Sequence, residues 1–134
     1  MINTVIFDMD GVIVDTEPVH HYAYNQHFKL LNINVTPEMY ASFTGKSTKN
    51  IYTQLKETFN LNDDVQTLVE AKRKLFNTAF DSKDDLYLLD GVEELIKELY
   101  QNGIQLIVAS SSANETINKV FKRFDLDKYF QHKV

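Results

Sequence analysis

The chain has 134 residues, 43% hydrophobic and 25% charged, and its 14 Lys and Arg against 19 Asp and Glu give a net charge of −5. That balance is typical of a soluble globular domain and supplies enough apolar residues to bury a core, which excludes wholesale disorder. With no basic stripe and no cysteine, nucleic acid and anionic membrane surfaces are disfavoured as partners, and disulfides and thiolate metal sites are excluded.

The first element is Val5-Ile6-Phe7, a short, fully apolar, β-rich run that predicts a buried parallel strand. No basic stretch precedes it, and it breaks at Asp8, too early for a signal peptide or a membrane span. The expected compartment is therefore the cytoplasm. Polarity and a glycine in Asp8-Met9-Asp10-Gly11 signal the passage from strand to loop. Thr16 is placed to cap a long helix whose first turn contains Pro18, with Ala23, His27, Leu30 and Leu31 on one stripe. Thr36-Pro37 opens a second, short helix in the same way. Ile51, Leu55 and Phe59 predict a third. Val65, Leu68, Val69, Lys72, Leu75, Phe76, Ala79 and Phe80 trace a fourth, whose apolar face is broken only at Lys72. Four helices sharing an apolar side make a small bundle.

Near Asp84-Asp85 the character changes. Asp90 and Glu93 are spaced as a capping box, with Val92, Leu95, Ile96 and Leu99 as the stripe behind it and Gly103 as the stop. The run 104–109 predicts a second buried strand. Ser112 and Glu115 are spaced as another capping box, opening a helix with Ile117, Val120, Phe121 and Phe124 inward. Strand, helical insertion, helix, strand and helix form an α/β pattern. The expected boundaries are 1–15 with 84–134 for the core and 16–83 for the insertion.

Side chains two apart on an extended segment point the same way, so Asp8 and Asp10 are expected to converge beyond the carboxyl end of a strand, where open parallel sheets bind ligands. Two carboxylates there repel unless a cation lies between them or one holds a proton. Hard oxygen donors suit Mg²⁺, which also binds substrate phosphate. One carboxylate can then attack phosphorus while the other shuttles protons, and Gly11 lets the backbone turn tightly beside the phosphate. Taken alone, the same pair also reads as a solvated turn.

The flanking residues, Val5-Ile6-Phe7-Asp8-Met9-Asp10-Gly11-Val12-Ile13-Val14-Asp15-Thr16, resemble the first signature of the haloacid dehalogenase-like (HAD) superfamily, in its subgroup with a helical cap after the first strand. The insertion length, second strand and following helix extend the resemblance over essentially the whole chain. It implies a Rossmann-like parallel-sheet core with an inserted four-helix-bundle cap. It also implies Asp8 as nucleophile and Asp10 as general acid/base, with both residues holding Mg²⁺, Asp10 also through its backbone carbonyl. Ser110 stands at the place of the second signature, where its hydroxyl donates to a phosphoryl oxygen, while Ser111 and the next residues offer backbone N–H groups. Ser112 reads simply as a helix cap.

The cap should set the substrate. Glu17-Pro18-Val19-His20 resembles the matching segment of β-phosphoglucomutase-like and sugar-phosphate phosphatase members, which implies that His20 relays protons or touches substrate. Phe43-Thr44-Gly45-Lys46-Ser47 resembles the loop that closes over the substrate, implicating Gly45 and Ser47. Ala71-Lys72-Arg73-Lys74 resembles a cap-helix segment whose last lysine, here Lys74, faces the active site. The mutase has an arginine after the loop serine to grip a second phosphate, whereas Thr48 offers no charge and no fork. The resemblance thus implies a phosphatase acting on a phosphorylated sugar or related small metabolite through an aspartyl phosphate, with β-phosphoglucomutase as the alternative.

The family's lysine and further acidic metal ligands are expected beyond Phe130, and Gln131-His132-Lys133-Val134 sits where a third core strand begins. Parallel strands without neighbours leave unpaired edges. The chain is therefore expected to be the amino-terminal piece of a longer core, inactive or poorly active alone. Two other classes stay open: a receiver-like signalling module, and a non-catalytic interaction domain.

Overall fold

In the computed structural model, which describes residues 1–134, the chain runs β1 (Thr4–Phe7), α1 (Glu17–Leu31), α2 (Pro37–Ala41), α3 (Thr48–Phe59), α4 (Val65–Ser82), α5 (Val92–Gln101), β2 (Gln105–Val108), α6 (Asn114–Arg123) and β3 (His132–Lys133). The three strands form one parallel sheet in the order β1-β2-β3, so β2 is central. Thr4 faces Gln105 and Phe7 faces Val108, while Ile107 and Val108 pair with His132 and Lys133. This is the α/β parallel-sheet arrangement that the strand and helix pattern implies. The chain divides into two compact units, one formed by Met1–Glu17 with Asp84–Val134 and the other by Pro18–Lys83.

The first unit holds the sheet. Alternate strand residues Phe7, Leu106 and Val108 are buried with Ile96 of α5 and Ile117, Val120 and Phe121 of α6. Phe121 and Phe130 meet edge to face at 4.9 Å between ring centres. Both crossovers between consecutive parallel strands step in the same direction across the sheet, and right-handed connections then put their helices on one face. On the opposite face Ile107 is half-buried and Ile6 exposed. Ile6 is 65% exposed, which corrects the expectation of a fully buried first strand: β1 lies at the sheet edge. Leu95 is exposed as well, because α5 commits only Ile96 fully to the core. The capping box expected at Asp90 does not form. The residue before α5 is Gly91, at φ +81°, and no side chain caps the helix.

The second unit holds α1 to α4, the helices expected there, α2 from the Thr36-Pro37 start and the others from their apolar stripes. Thr36 caps α2 by accepting from the Met39 amide, Ser47 caps α3 through the Asn50 amide, and Asp64 caps α4 through the Thr67 amide. Their shared core is largely aromatic, with Tyr24, Phe28, Phe43, Ile51, Tyr52, Leu55 and Leu68 buried together. Each side chain of this size gains about 1.5–3 kcal/mol on full burial, so these contacts dominate the unit's stability. On α1 the buried face runs through Val19, Ala23, Tyr24, His27 and Phe28. Leu30, expected inside, is 74% exposed, since the larger Tyr24 and Phe28 turn the helix toward the aromatic cluster.

His27 is a polar group in that core, and its Nδ1 lies 2.6 Å from the Tyr52 hydroxyl. Burial pushes the Tyr52 phenol up, so it keeps its proton and donates to a neutral His27. Burial likewise holds the His27 imidazole below its ordinary value, with the Asp63 charge opposing. A histidine whose folded pKa is depressed binds fewer protons folded than unfolded. Its contribution to stability is full above about pH 6.5 and is lost as pH falls toward the lower, folded value. Thermal midpoints measured from pH 7.5 to pH 5 should therefore fall, and His27→Gln, which keeps an acceptor for Tyr52 but cannot titrate, should flatten that fall. Parallel pH curves for the two proteins would refute the assignment.

Candidate active site

β1 and β2 end side by side, because the Ala109 amide donates to the Phe7 carbonyl at 2.8 Å. Asp8 follows β1 directly and Ser110 follows one residue later on β2, at the carboxyl ends where parallel sheets bind ligands. Asp8 is exposed, and its Oδ1 accepts from the Met9 amide at 2.8 Å. Met9 is fully buried and anchors the turn beyond it, its carbonyl accepting from the amides of Val12, Ile13 and Val14. Gly11 sits in that turn at φ +75°, where a side chain would be strained although space is open around it. Its amide donates to the Val14 carbonyl at 2.8 Å, and Val14 bridges to Leu88, so the loop folds into a small flap.

The Asp10 carboxylate is held at both oxygens. The Thr16 hydroxyl donates to Oδ1 at 2.5 Å and the Ser112 hydroxyl donates to Oδ2 at 2.9 Å. The Ser112 amide in turn donates to Ser110 Oγ at 3.1 Å. One chain of hydrogen bonds thus runs from Thr16 through Asp10 and Ser112 to Ser110, tying the loop after β1 to the loop after β2. The expected capping box of Ser112 and Glu115 is corrected here. Helix α6 starts at Asn114, the residue before it is Ala113, and no side chain caps it. Ser112 reaches instead to a carboxylate 102 residues away in sequence, a partner that no local pattern encodes.

In the second unit, Gly45 lies on the loop between α2 and α3 at φ +82°, and Ser47 uses its hydroxyl as the α3 cap. Lys74 is exposed on α4. The lysine turned into this unit is Lys72, two residues earlier and 4% exposed. Its ammonium lies 2.7 Å from His20 Nδ1, 4.5 Å from the Tyr24 ring centre and 5.3 Å from that of Phe76. An ammonium only donates, so Nδ1 accepts and the ring proton of His20 sits on Nε2. His20 also stacks on Phe76, with ring centres 4.3 Å apart. Periodicity marked Lys72 as a break in an apolar face. A break of that kind, one turn before Phe76 and a helix away from His20, is the signal that points to a buried cation. Thr48, in the position after the loop serine, receives a hydrogen bond from the Tyr24 hydroxyl at 3.1 Å.

The chain belongs to the haloacid dehalogenase-like hydrolase family, whose profile matches residues 5–134. It is 27% identical over 130 residues to a phosphorylated carbohydrates phosphatase of Thermotoga maritima, covering 94% of this chain and 57% of that protein. It is 30% identical over 135 residues to the pyrophosphatase PpaX of Listeria monocytogenes, covering 97% of this chain and 58% of the relative. Among solved structures, CbbY from Rhodobacter sphaeroides in complex with phosphate superposes with a TM-score of 0.83 at 22% identity, over 99% of this chain and 63% of that one. The chain therefore spans less than two thirds of the length of these relatives. No helix is long and apolar enough to cross a membrane.

Proposed function

We propose that the protein is a Mg²⁺-dependent phosphatase that hydrolyses a phosphorylated sugar or a related small metabolite by way of an aspartyl phosphate on Asp8. The observation that carries this reading is the hydrogen-bonded chain joining Asp10 to Ser112 and Ser110 at the carboxyl ends of β1 and β2. Its support among relatives is the phosphatase of Thermotoga maritima, named for phosphorylated carbohydrates.

The residues divide the chemistry as follows. Asp8 has one carboxylate oxygen engaged by the Met9 amide, and the other forms the bond to phosphorus as the ester P–O bond breaks. Asp10 passes a proton to the departing ester oxygen. It then takes one from the water that attacks the aspartyl phosphate, which returns Asp8 and releases inorganic phosphate. Ser110 Oγ already accepts from the Ser112 amide, so its own proton is directed to a phosphoryl oxygen, beside the Ser111 N–H. In the second unit we assign the substrate-facing role to His20, whose Nε2–H is defined by Lys72 on Nδ1, with Gly45, Ser47 and Lys74 as further candidates.

The donors fit Mg²⁺ in kind, since the Asp8 carboxylate and an Asp10 oxygen are hard oxygen ligands. Both carboxylate oxygens of Asp10 accept from hydroxyls, which directs a metal to its main-chain carbonyl. Bound there, Mg²⁺ would screen the incoming phosphate from the Asp8 charge. Two such ligands fall short of an octahedral shell. We assign the remaining acidic ligand and the charge-neutralising lysine to the further part of the core that the longer relatives have. Thr48, uncharged and engaged by Tyr24, favours hydrolysis of a monophosphate over transfer between two phosphates.

The test is release of inorganic phosphate from hexose monophosphates by the complete core, lost with chelator and restored by Mg²⁺. Conversion of glucose 1-phosphate to the 6-phosphate without phosphate release would replace this reading by the mutase.

A further inference from the structure

We propose that Ser112 is a positioning residue for Asp10, holding that carboxyl in the one orientation from which it meets the ester oxygen of a phosphate bound at Ser110. The inference rests on the assignment of Asp10 as acid/base and goes beyond it by naming what aims the group.

Three observations carry it. First, Ser112 stands two residues before α6 yet caps nothing, because the preceding position is Ala113 and no side chain serves that helix end. Its hydroxyl goes to Asp10 Oδ2 at 2.9 Å instead. Secondly, Thr16 holds the other oxygen, Oδ1. A carboxylate bound by one hydroxyl can pivot about that bond. Bound at each oxygen from a different loop, it has its plane defined, and charge-assisted bonds of this type are the stronger kind. Thirdly, the same residue binds Ser110 through its backbone, the Ser112 amide donating to Ser110 Oγ at 3.1 Å. Ser112 therefore contacts both the proton carrier and the hydroxyl proposed to receive the phosphate. Placing both contacts on one residue tethers the two groups to a common point. Catalytic groups need this, since displacements of about 1 Å can cost two orders of magnitude in rate.

A positioning role predicts a particular pattern of loss. Ser112→Ala leaves the Ser110 hydroxyl and the loop amides in place but frees one oxygen of Asp10. With the complete core, kcat/KM for a primary alkyl phosphate should fall about tenfold, as expected for losing one hydrogen bond to a charged group. For p-nitrophenyl phosphate, whose leaving phenolate needs little proton assistance, it should stay within about twofold. KM should change little for either. Ser112→Thr, which keeps the hydroxyl, should recover most of the alkyl phosphate rate. In an Asp10→Asn background, Ser112→Ala should cause no further loss.

Equal losses on both substrates, or a loss that adds fully to that of Asp10→Asn, would overturn the proposal. Should Asp10→Asn itself fail to discriminate between the two leaving groups, the acid/base reading of Asp10 falls, and the Ser112 role with it. Stability supplies a readout free of activity. The drop in thermal midpoint from Ser112→Ala should disappear in an Asp10→Ala background, whereas an undiminished drop would show that Ser112 acts through something other than Asp10.

Discussion

Replacing Asp8 by Asn should abolish phosphate release, by about 10⁴-fold or more, while leaving the thermal midpoint where it was. The magnitude follows from the role: removing the group that forms the covalent intermediate costs as much as dismantling the whole catalytic set, because the other members act only through it. The unchanged stability follows from the structure. Asp8 is exposed, and the one hydrogen bond shown for it, from the Met9 amide to Oδ1, is available to an asparagine oxygen as well. The amide is nearly isosteric but has no anionic oxygen to offer to phosphorus. Labelling with a phosphoryl donor separates the competing classes. In this reading no aspartyl phosphate forms in the variant, whereas a receiver-like module, whose phosphorylated aspartate lies on a later strand, would keep its label. A wild-type core that neither labels nor releases phosphate under Mg²⁺ would mark the domain as non-catalytic.

The parts of the fold that could be read from the residues are those that short patterns determine. Val5-Ile6-Phe7 ended by a polar loop, and 104–109 ended by serines, are strands because apolar, β-rich runs of that length have few other outcomes. Thr36-Pro37 opens α2 as expected, since a capping hydroxyl and a proline in the first turn act within four residues. Burial was harder, because it depends on which layers cover an element. Ile6, Leu30 and Leu95 are as apolar as their buried neighbours, yet they are exposed. What decides this is the edge position of β1, the orientation of α5 that buries Ile96, and the pull of Tyr24 and Phe28 on α1. The capping patterns show the same limit. Ser47 and Asp64 cap the helices that follow them, while Asp90 and Ser112, in similar local settings, do not. For Ser112 the competing partner was Asp10, and nothing within ten residues could reveal it. Of the candidate site, the sequence placed Asp8, Asp10 and Ser110 at strand ends, but the hydrogen-bonded linkage between Asp10 and Ser110 was not legible in it. The residue that makes the linkage was set aside as a cap.

Lys72 supplies the other large effect, which runs opposite to intuition for a hydrogen-bonded, nearly inaccessible cation. Lys72→Met should fold with stability within about 1 kcal/mol of the parent, because exchanging a buried ion for an apolar chain of like volume removes its desolvation penalty. Among the losses set against that gain are the contacts of the ammonium with the Tyr24 and Phe76 rings and its bond to His20 Nδ1, and cation–ring contacts of this kind contribute about 0.5–2 kcal/mol each. His20 is only half-buried, so water can take over at Nδ1. Lys72→Ala, by contrast, should lose about 2–4 kcal/mol, because the four-carbon stem fills space beside two aromatic rings and its removal leaves a cavity. Urea midpoints for the three proteins measure this directly. If Lys72→Met is destabilised as much as Lys72→Ala, the ammonium itself holds the unit together. If it is not, the charge is dispensable for folding, an outcome consistent with the role proposed for His20. Phosphate release should then fall about tenfold in Lys72→Met at unchanged stability, since the imidazole would lose the donor that defines its tautomer.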